Sequence, residues 1–403
     1  MQMHNLSLVR SSYLKIAKGE KDFKIVNIIS GRQFKVDQPT IEVLEYFKQP
    51  HKLDEIDCSE NMRASLLGLY QKGLLVEVAA QHKETYQVQQ YTNQLFGLKT
   101  FQAPADRRDI VLVGVPYGGG NPISTATSQF PYLFRRFTEN HNLRFTATAP
   151  VNYRILGKRQ GPRHLPALVQ GERLKDGGDL FIHQYESRKQ VYDKIEHLFD
   201  QLIHQGQLPF AIGGDHSISL PIIKAIDKHY PSFSVLHFDA HTDTYTSKYE
   251  KILEAEGTHY HGNFISKVLE MEGVNKVYQF GIRGINNTFI RSEHPKRLSF
   301  WAEEVREMIR QNRLDVNIPA GEPLYITFDI DVLDPAIAPA TATPIPNGLS
   351  FRDTVQLFEL LKLQERKIIG VDFVEVNLEK DQQNLTASIA TQLMLNLLDY
   401  IQL

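Results

Sequence analysis

Asp239, His241 and Asp243 occupy alternate positions in HFDAHTDTY, residues 237–245, just where the apolar run FSVLHF (233–238) ends. A short apolar run of this kind is expected to be a buried strand, and alternate residues of extended chain share one face. Two ionised carboxylates held that close repel each other and lose hydration, so they call for a compensating cation. Two more strand ends repeat the pattern: GGDHS (213–217) carries Asp215 and His216, and FDIDVLDP (328–335) carries Asp329, Asp331 and Asp334. One Asp-His pair is ordinarily a turn or helix cap; three acidic clusters at successive strand ends point to metal. His216, Asp239, His241, Asp243, Asp329 and Asp331 form a hard donor set of carboxylates and imidazoles without thiolate, which favours manganese over structural zinc. Six such ligands suit two ions ~3.5–4 Å apart that share carboxylates.

The elements that must position these residues alternate between strand and helix from residue 109 onward. Apolar strand candidates are DIVLVGVP (109–116), LPFAIGG (208–214), FSVLHFD (233–239), KVYQFGI (276–282), PLYITFDID (323–331) and KIIGVDFVEV (367–376). Helical patterns such as KQVYDKIEHLFDQLIHQ (189–205) lie between them. Buried strands alternating with helices predict an α/β fold, a mostly parallel sheet covered on both faces, with ligands at the carboxyl ends of the strands. The first part of the chain reads differently. DFKIVNIISGRQFKV (22–36) predicts two strands around a turn at Ser30 and Gly31, PTIEVLEYFKQ (39–49) a helix begun by Pro39, and SENMRASLLGLYQKGLLVEV (59–78) a capped helix stopped by Gly73 and a strand. The expected organisation is a small winged-helix-like domain over 1–80, a polar connector over 81–107 and a catalytic domain over 108–403.

The motifs GGDHS, DAHTD, FDIDVLDPAIAPATATPIPNGLS and VEVN, met in this order, resemble the signature of the arginase/agmatinase (ureohydrolase) family. The resemblance implies a three-layer α/β fold and hydrolysis of a guanidinium group to an amine and urea. It implies two Mn²⁺ per chain: one held by His216, Asp239, Asp243 and Asp329, the other by Asp239, His241, Asp329 and Asp331. His261 in HGNFIS would shuttle a proton to the leaving amine. Glu375 in VEVN would orient the substrate's planar cation through paired hydrogen bonds. The family commonly oligomerises, so a homo-oligomer is expected. His237 reads as a core histidine, His259 is next to the site by sequence and unassigned, and Cys58 reads as inert.

Departures from arginases bear on the substrate. The loop after DAHTD is longer and starts with the bulky Tyr245, and GIRGINN offers Gly284 and Asn286 where arginases place a carboxylate for the α-amino group; Ala342 stands where glycine is usual. A buried ammonium without an anionic partner is costly, so free arginine is poorly served. Residues ~22–78 resemble PqqD-like leader-recognition domains of enzymes that modify ribosomally made peptides. The expectation is conversion of peptidyl arginine to peptidyl ornithine in an arginine-containing precursor peptide. The alternatives are a small-guanidine ureohydrolase of the agmatinase kind and a catalytically silent peptide-binding protein. The 403 residues carry a net charge of −2 and a single cysteine. The net charge gives no sign of a nucleic-acid surface, and a single cysteine excludes an internal disulfide. A cytoplasmic protein with no membrane partner is expected, since no secretory signal or ~20-residue apolar span is present.

Overall fold

The computed structural model describes residues 6–19, 22–28, 31–56, 59–78, 88, 89, 93–102, 107–139, 141, 143, 164–245, 259–284 and 294–403. The chain forms two compact units, Met1–Gln87 with Phe181–Lys194, and Val88–Leu180 with Ile195–Leu403. Cys58, Ser30 and Asn286 lie outside the described residues, as do 246–258 of the long loop after DAHTD.

The first unit contains β1 (Ser7–Arg10), β2 (Leu14–Lys18), β3 (Phe23–Asn27), β4 (Gln33–Val36), β5 (His51–Lys52) and β6 (Leu75–Glu77). All its pairings are antiparallel, in the orders β5-β1-β6 and β2-β3-β4. Its helices begin where side chains can satisfy the first-turn amides: Asp37 accepts from Thr40 N at 3.0 Å ahead of helix Gln38–Tyr46, and Ser59 from Met62 N at 3.3 Å ahead of helix Glu60–Gln71. Leu8, Ile25, Leu44, Phe47, Leu66 and Leu75 fill its core. The expected hairpin, helices and closing strand are present, joined by β1 and β2.

The second unit is an α/β sheet with helices on both faces. It contains β7 (Val88–Gln89), β8 (Lys99–Thr100), β9 (Ile110–Gly114), β10 (Leu174–Leu180), β11 (Leu208–Ile212), β12 (Phe233–Phe238), β13 (Val274–Ile282), β14 (Arg297–Trp301), β15 (Pro323–Asp329) and β16 (Lys367–Val374). The order is β14-β13-β12-β15-β16-β11-β9-β10-β7, with β8 also on β10, and every pairing except β10–β7 is parallel. Four strands of this sheet escape an apolar-run search, the two-residue β7 and β8 and the longer β10 and β14. LKDGGDL of β10 is polar, yet Asp176 and Asp179 are buried because the equally buried Arg135 binds both. RLSFW of β14 is an edge strand, with no fully buried residue. Part of the polar connector also joins this unit: Leu95, Phe96 and Leu98 are core residues.

Parallel strands place all their carboxyl ends along one edge of the sheet. The four neighbours β12, β15, β16 and β11 therefore bring DAHTD, FDID, VEVN and GGDHS side by side, although up to 159 residues separate them in the chain.

Candidate metal centre

His216 sits one turn past β11, in GGDHS, and its two ring nitrogens have different surroundings. Nε2 lies 2.8 Å from Thr327 Oγ1, whose single proton is donated to Asp372 Oδ1 at 2.7 Å. The hydroxyl must then accept, so Nε2 carries hydrogen and donates. Nδ1 faces Asp239, Asp243 and Asp329 carboxylate oxygens at 3.0, 3.2 and 3.2 Å. Although buried, it makes no aligned hydrogen bond, because it aims between the three oxygens rather than at one. That is the arrangement of a cation cage. Burial alone would lower the basicity of this ring, but the carboxylates outweigh it and push its pKa well above the usual value.

Asp239 presents its two oxygens to different imidazoles. Oδ2 faces His216 Nδ1, while Oδ1 lies 3.3 Å from His241 Nδ1. His241 Nδ1 is also 3.1 Å from Asp331 Oδ2. A carboxylate that turns one oxygen to each of two imidazoles is what a shared ligand of two ions requires. The ligand atoms of Asp239, His241 and Asp331 lie within 4.8 Å of one another, as do those of His216, His237, Asp239 and Asp243. Despite burial, Asp331 and Asp239 raise the His241 pKa to about 12. Burial and the carboxylates of Asp331 and Asp239 push Asp329 well above the carboxylate range, and burial with Asp239 raises Asp243. Like charges this crowded fit a site completed by divalent cations. Five of the six residues expected to hold metal fall in these two groups, and Asp329 reaches the first through its 3.2 Å approach to His216 Nδ1.

Backbone conformation carries part of the cost. Asp243 (φ 49°) and Glu375 (φ 61°) both lie in the left-handed region, which non-glycine residues enter at a penalty of roughly 1–3 kcal/mol. Glu375 is buried and held from three sides: Oε1 accepts from His216 N at 2.9 Å and faces His261 Nδ1 at 3.3 Å, and Oε2 accepts from Asn121 Nδ2 at 3.2 Å. Burial acts to lower the His261 pKa, but Glu375 prevails and the net shift is upward.

Four features go beyond the sequence reading. His237, read as a core histidine, is fully buried but not inert: its Nε2 lies 2.9 Å from Asp239 Oδ2. The loop GGGN (118–121) is stitched to GGDHS through Asp215, which accepts from Gly120 N at 2.7 Å and Asn121 N at 3.1 Å. Burial first, then Glu375, raises the Asp215 pKa to about 6. A Cβ at Gly214 would fall 1.7 Å from the Tyr117 carbonyl oxygen, so only glycine allows this approach. Arg283 donates to the carbonyls of Asp331, Val332 and Leu333 at 2.6, 3.2 and 3.0 Å, gripping the backbone of the turn that carries Asp331. Asp334 takes no part in the cluster; it accepts from Ala336 N and Gly348 N and shapes the following turn.

Residues 108–399 match the model of the Arginase family. The chain is 33% identical over 225 residues to an agmatinase of Bacillus subtilis, covering 55% of this chain and 73% of the relative. It is 30% identical over 308 residues to an agmatinase of Neisseria meningitidis, covering 73% and 87%. Proclavaminate amidino hydrolase from Streptomyces clavuligerus shares the fold, with a TM-score of 0.62 at 24% identity over 77% of this chain and 97% of that one. Among the described residues, no helix is long and apolar enough to cross a membrane.

Proposed function

This chain belongs to the arginase family, and from that premise we propose that it hydrolyses a guanidinium group to an amine and urea at a pair of divalent cations. The observation carrying the proposal is the convergence of His216 Nδ1 and three carboxylates around one point, with the other oxygen of Asp239 facing His241 Nδ1. The donors are carboxylate oxygens and imidazole nitrogens, which suit manganese. When bound, the cations supply positive charge that offsets the carboxylates and ionises a water near neutral pH. His216, Asp239, Asp243 and Asp329 would hold one ion, and Asp239, His241, Asp329 and Asp331 the other. Glu375 would orient the substrate's planar cation, its own rotamer locked by Asn121 and the His216 amide. His261, with its raised pKa, would retain a proton near neutrality and deliver it to the departing amine.

The agmatinase relatives support a small guanidine lacking the α-carboxylate as substrate, and favour that reading over peptidyl arginine. Peptidyl arginine stays as a second reading on one observation. Residues 1–107 precede the family match, and the small unit there has β4 at the edge of its sheet beside a cavity of about 590 Å³. Phe34, Val36, Leu69 and Leu74 help line this cavity together with Lys35 and Lys72. An extended leader peptide could add to β4 through backbone hydrogen bonds, and tethering it would raise the local arginine concentration to roughly millimolar. Urea release from agmatine, arginine and an arginine-containing leader peptide decides between the readings. Turnover of agmatine alone establishes the first, turnover of peptide alone the second, and no urea from any Mn²⁺-loaded sample rejects both.

A further inference from the structure

Five polar residues lie in one lateral row across five adjacent strands. Ser299 on β14 is in register with Gln279 on β13, Gln279 with His237 on β12, His237 with Thr327 on β15, and Thr327 with Asp372 on β16. Gln279, His237, Thr327 and Asp372 are completely buried. The next row, on the opposite face, is Phe300, Phe280, Phe238, Phe328 and Phe373 in the same registers. One position further along β12 and β15 come Asp239 and Asp329. A polar row inside such a core is expensive unless every group is satisfied, and this one lies directly beneath the carboxylates of the metal centre.

The hydrogen bonds of the row have a definite direction. Gln279 Nε2 lies 2.7 Å from the Thr242 carbonyl oxygen, which can only accept, and Gln279 Oε1 accepts from Ser299 Oγ at 2.7 Å. The amide orientation is thereby set. The same Nε2 lies 2.8 Å from His237 Nδ1, which must accept. His237 therefore carries its proton on Nε2, and Nε2 donates to Asp239 Oδ2 at 2.9 Å. With Nδ1 occupied by an amide and Nε2 bearing hydrogen, His237 has no lone pair to offer a cation, although it lies within the ligand cluster.

We propose that Ser299, Gln279 and His237 form a supporting relay for the metal centre, in which His237 is a positioning residue that orients Asp239 and not a ligand. Thr327 and Asp372 do the same for His216 from the other half of the row. The two halves fix the rotamers of Asp239 and His216, whose Oδ2 and Nδ1 approach to 3.0 Å. Loss of either half loosens the ion between them. Outer partners of this kind typically contribute 10–100-fold in metal affinity. The proposal rests on the reading of Asp239 as a metal ligand.

Two measurements on the full-length chain test it. In protein labelled with ¹⁵N at histidine, the His237 ring should show a protonated Nε2 and an unprotonated Nδ1, and should keep that pattern when Zn²⁺ is added. A protonated Nδ1, or loss of the Nε2 proton on metal addition, would overturn the positioning role. In calorimetric titration of metal-free protein with Mn²⁺, Gln279→Met and His237→Phe should weaken binding of one equivalent about 10–100-fold. His237→Gln, whose amide can still donate to Asp239, should recover part of it. Affinities unchanged in Gln279→Met and His237→Phe would reduce the row to packing. Asp239→Asn separates the premise from the proposal: if it binds both equivalents as the unaltered chain does, the metal-ligand reading itself fails.

Discussion

His216 and His261 illustrate how neighbouring groups assign different work to the same side chain. His216 is clamped at Nε2 and faces carboxylates at Nδ1, whereas His261 meets Glu375 at the edge of the cluster. If His261 is the proton donor of the proposed reaction, His261→Asn should slow turnover by ~10²–10⁴-fold and leave Mn²⁺ binding unchanged. An unchanged rate across the pH range would remove His261 from the mechanism. His241 sets a pH dependence. Its pKa in the metal-free fold is about 12, above the ordinary ~6.5 of an unfolded histidine. Its contact with Asp331 and Asp239 therefore stabilises the metal-free fold fully below ~pH 6.5, and that contribution declines as pH rises through about 12. A cation must displace the same proton, so affinity should strengthen with pH over this interval. Adding Mn²⁺ at pH 7.5 in weak buffer should release protons, measurable with an indicator dye; no release would contradict the proposed ligand set.

At the level of elements, β10 shows why polarity alone does not exclude a strand from a core. Arg135, on helix Phe130–Thr138, is 1% exposed, and its guanidinium binds Asp179 through Nε at 2.9 Å and Nη2 at 2.7 Å and Asp176 through Nη1. Burial would lower the arginine's pKa, but the two carboxylates more than compensate and raise it. Arg135→Ala would strand two buried carboxylates and should cost about 3–5 kcal/mol, read as a lower urea midpoint. Arg135→Met with Asp176→Asn and Asp179→Asn should be milder, because no uncompensated charge is left inside. Gly214→Ala should also destabilise the fold, since the clash is with backbone and not with a movable side chain.

For the molecule as a whole, the metal centre should be a source of stability as well as of activity. Burial and like-charge crowding raise the pKa of Asp243 and Asp329, and cations bound only by the folded state relieve that crowding. At 100–1,000 times the dissociation constant the gain is about 2.7–4.1 kcal/mol per site. Chelation should therefore lower the melting temperature and Mn²⁺ should restore it; identical melting curves would mean that the cluster holds no ion. The small unit supplies a separate test. Phe34→Asp, on the edge strand β4, should leave urea release from agmatine within about two-fold and weaken turnover of a leader-bearing peptide if that unit recruits one. Equal peptide turnover by the unaltered and substituted chains would leave the small unit without a part in recruitment.

Local sequence determined the strands whose apolar runs are continuous, the helix caps at Asp37 and Ser59, and the ligand types in GGDHS, DAHTD and FDID, because each is encoded within a few neighbouring residues. A trace of the supporting row was legible as well: His237-Phe238, Gln279-Phe280, Ser299-Phe300, Thr327-Phe328 and Asp372-Phe373 repeat a polar-Phe pair at the end of successive strands. Its meaning depends on register, which only strand pairing sets. His237 looked like an isolated core histidine until β13 placed Gln279 against one nitrogen and the chain's own turn placed Asp239 against the other. In the same way, the polar LKDGGDL of β10 gives no apolar strand signal, and Arg135 arrives from 41 residues away to neutralise Asp176. Charge balance and hydrogen-bond partnership are properties of the folded sheet, since the groups that satisfy one another lie on different strands and meet only when those strands are aligned.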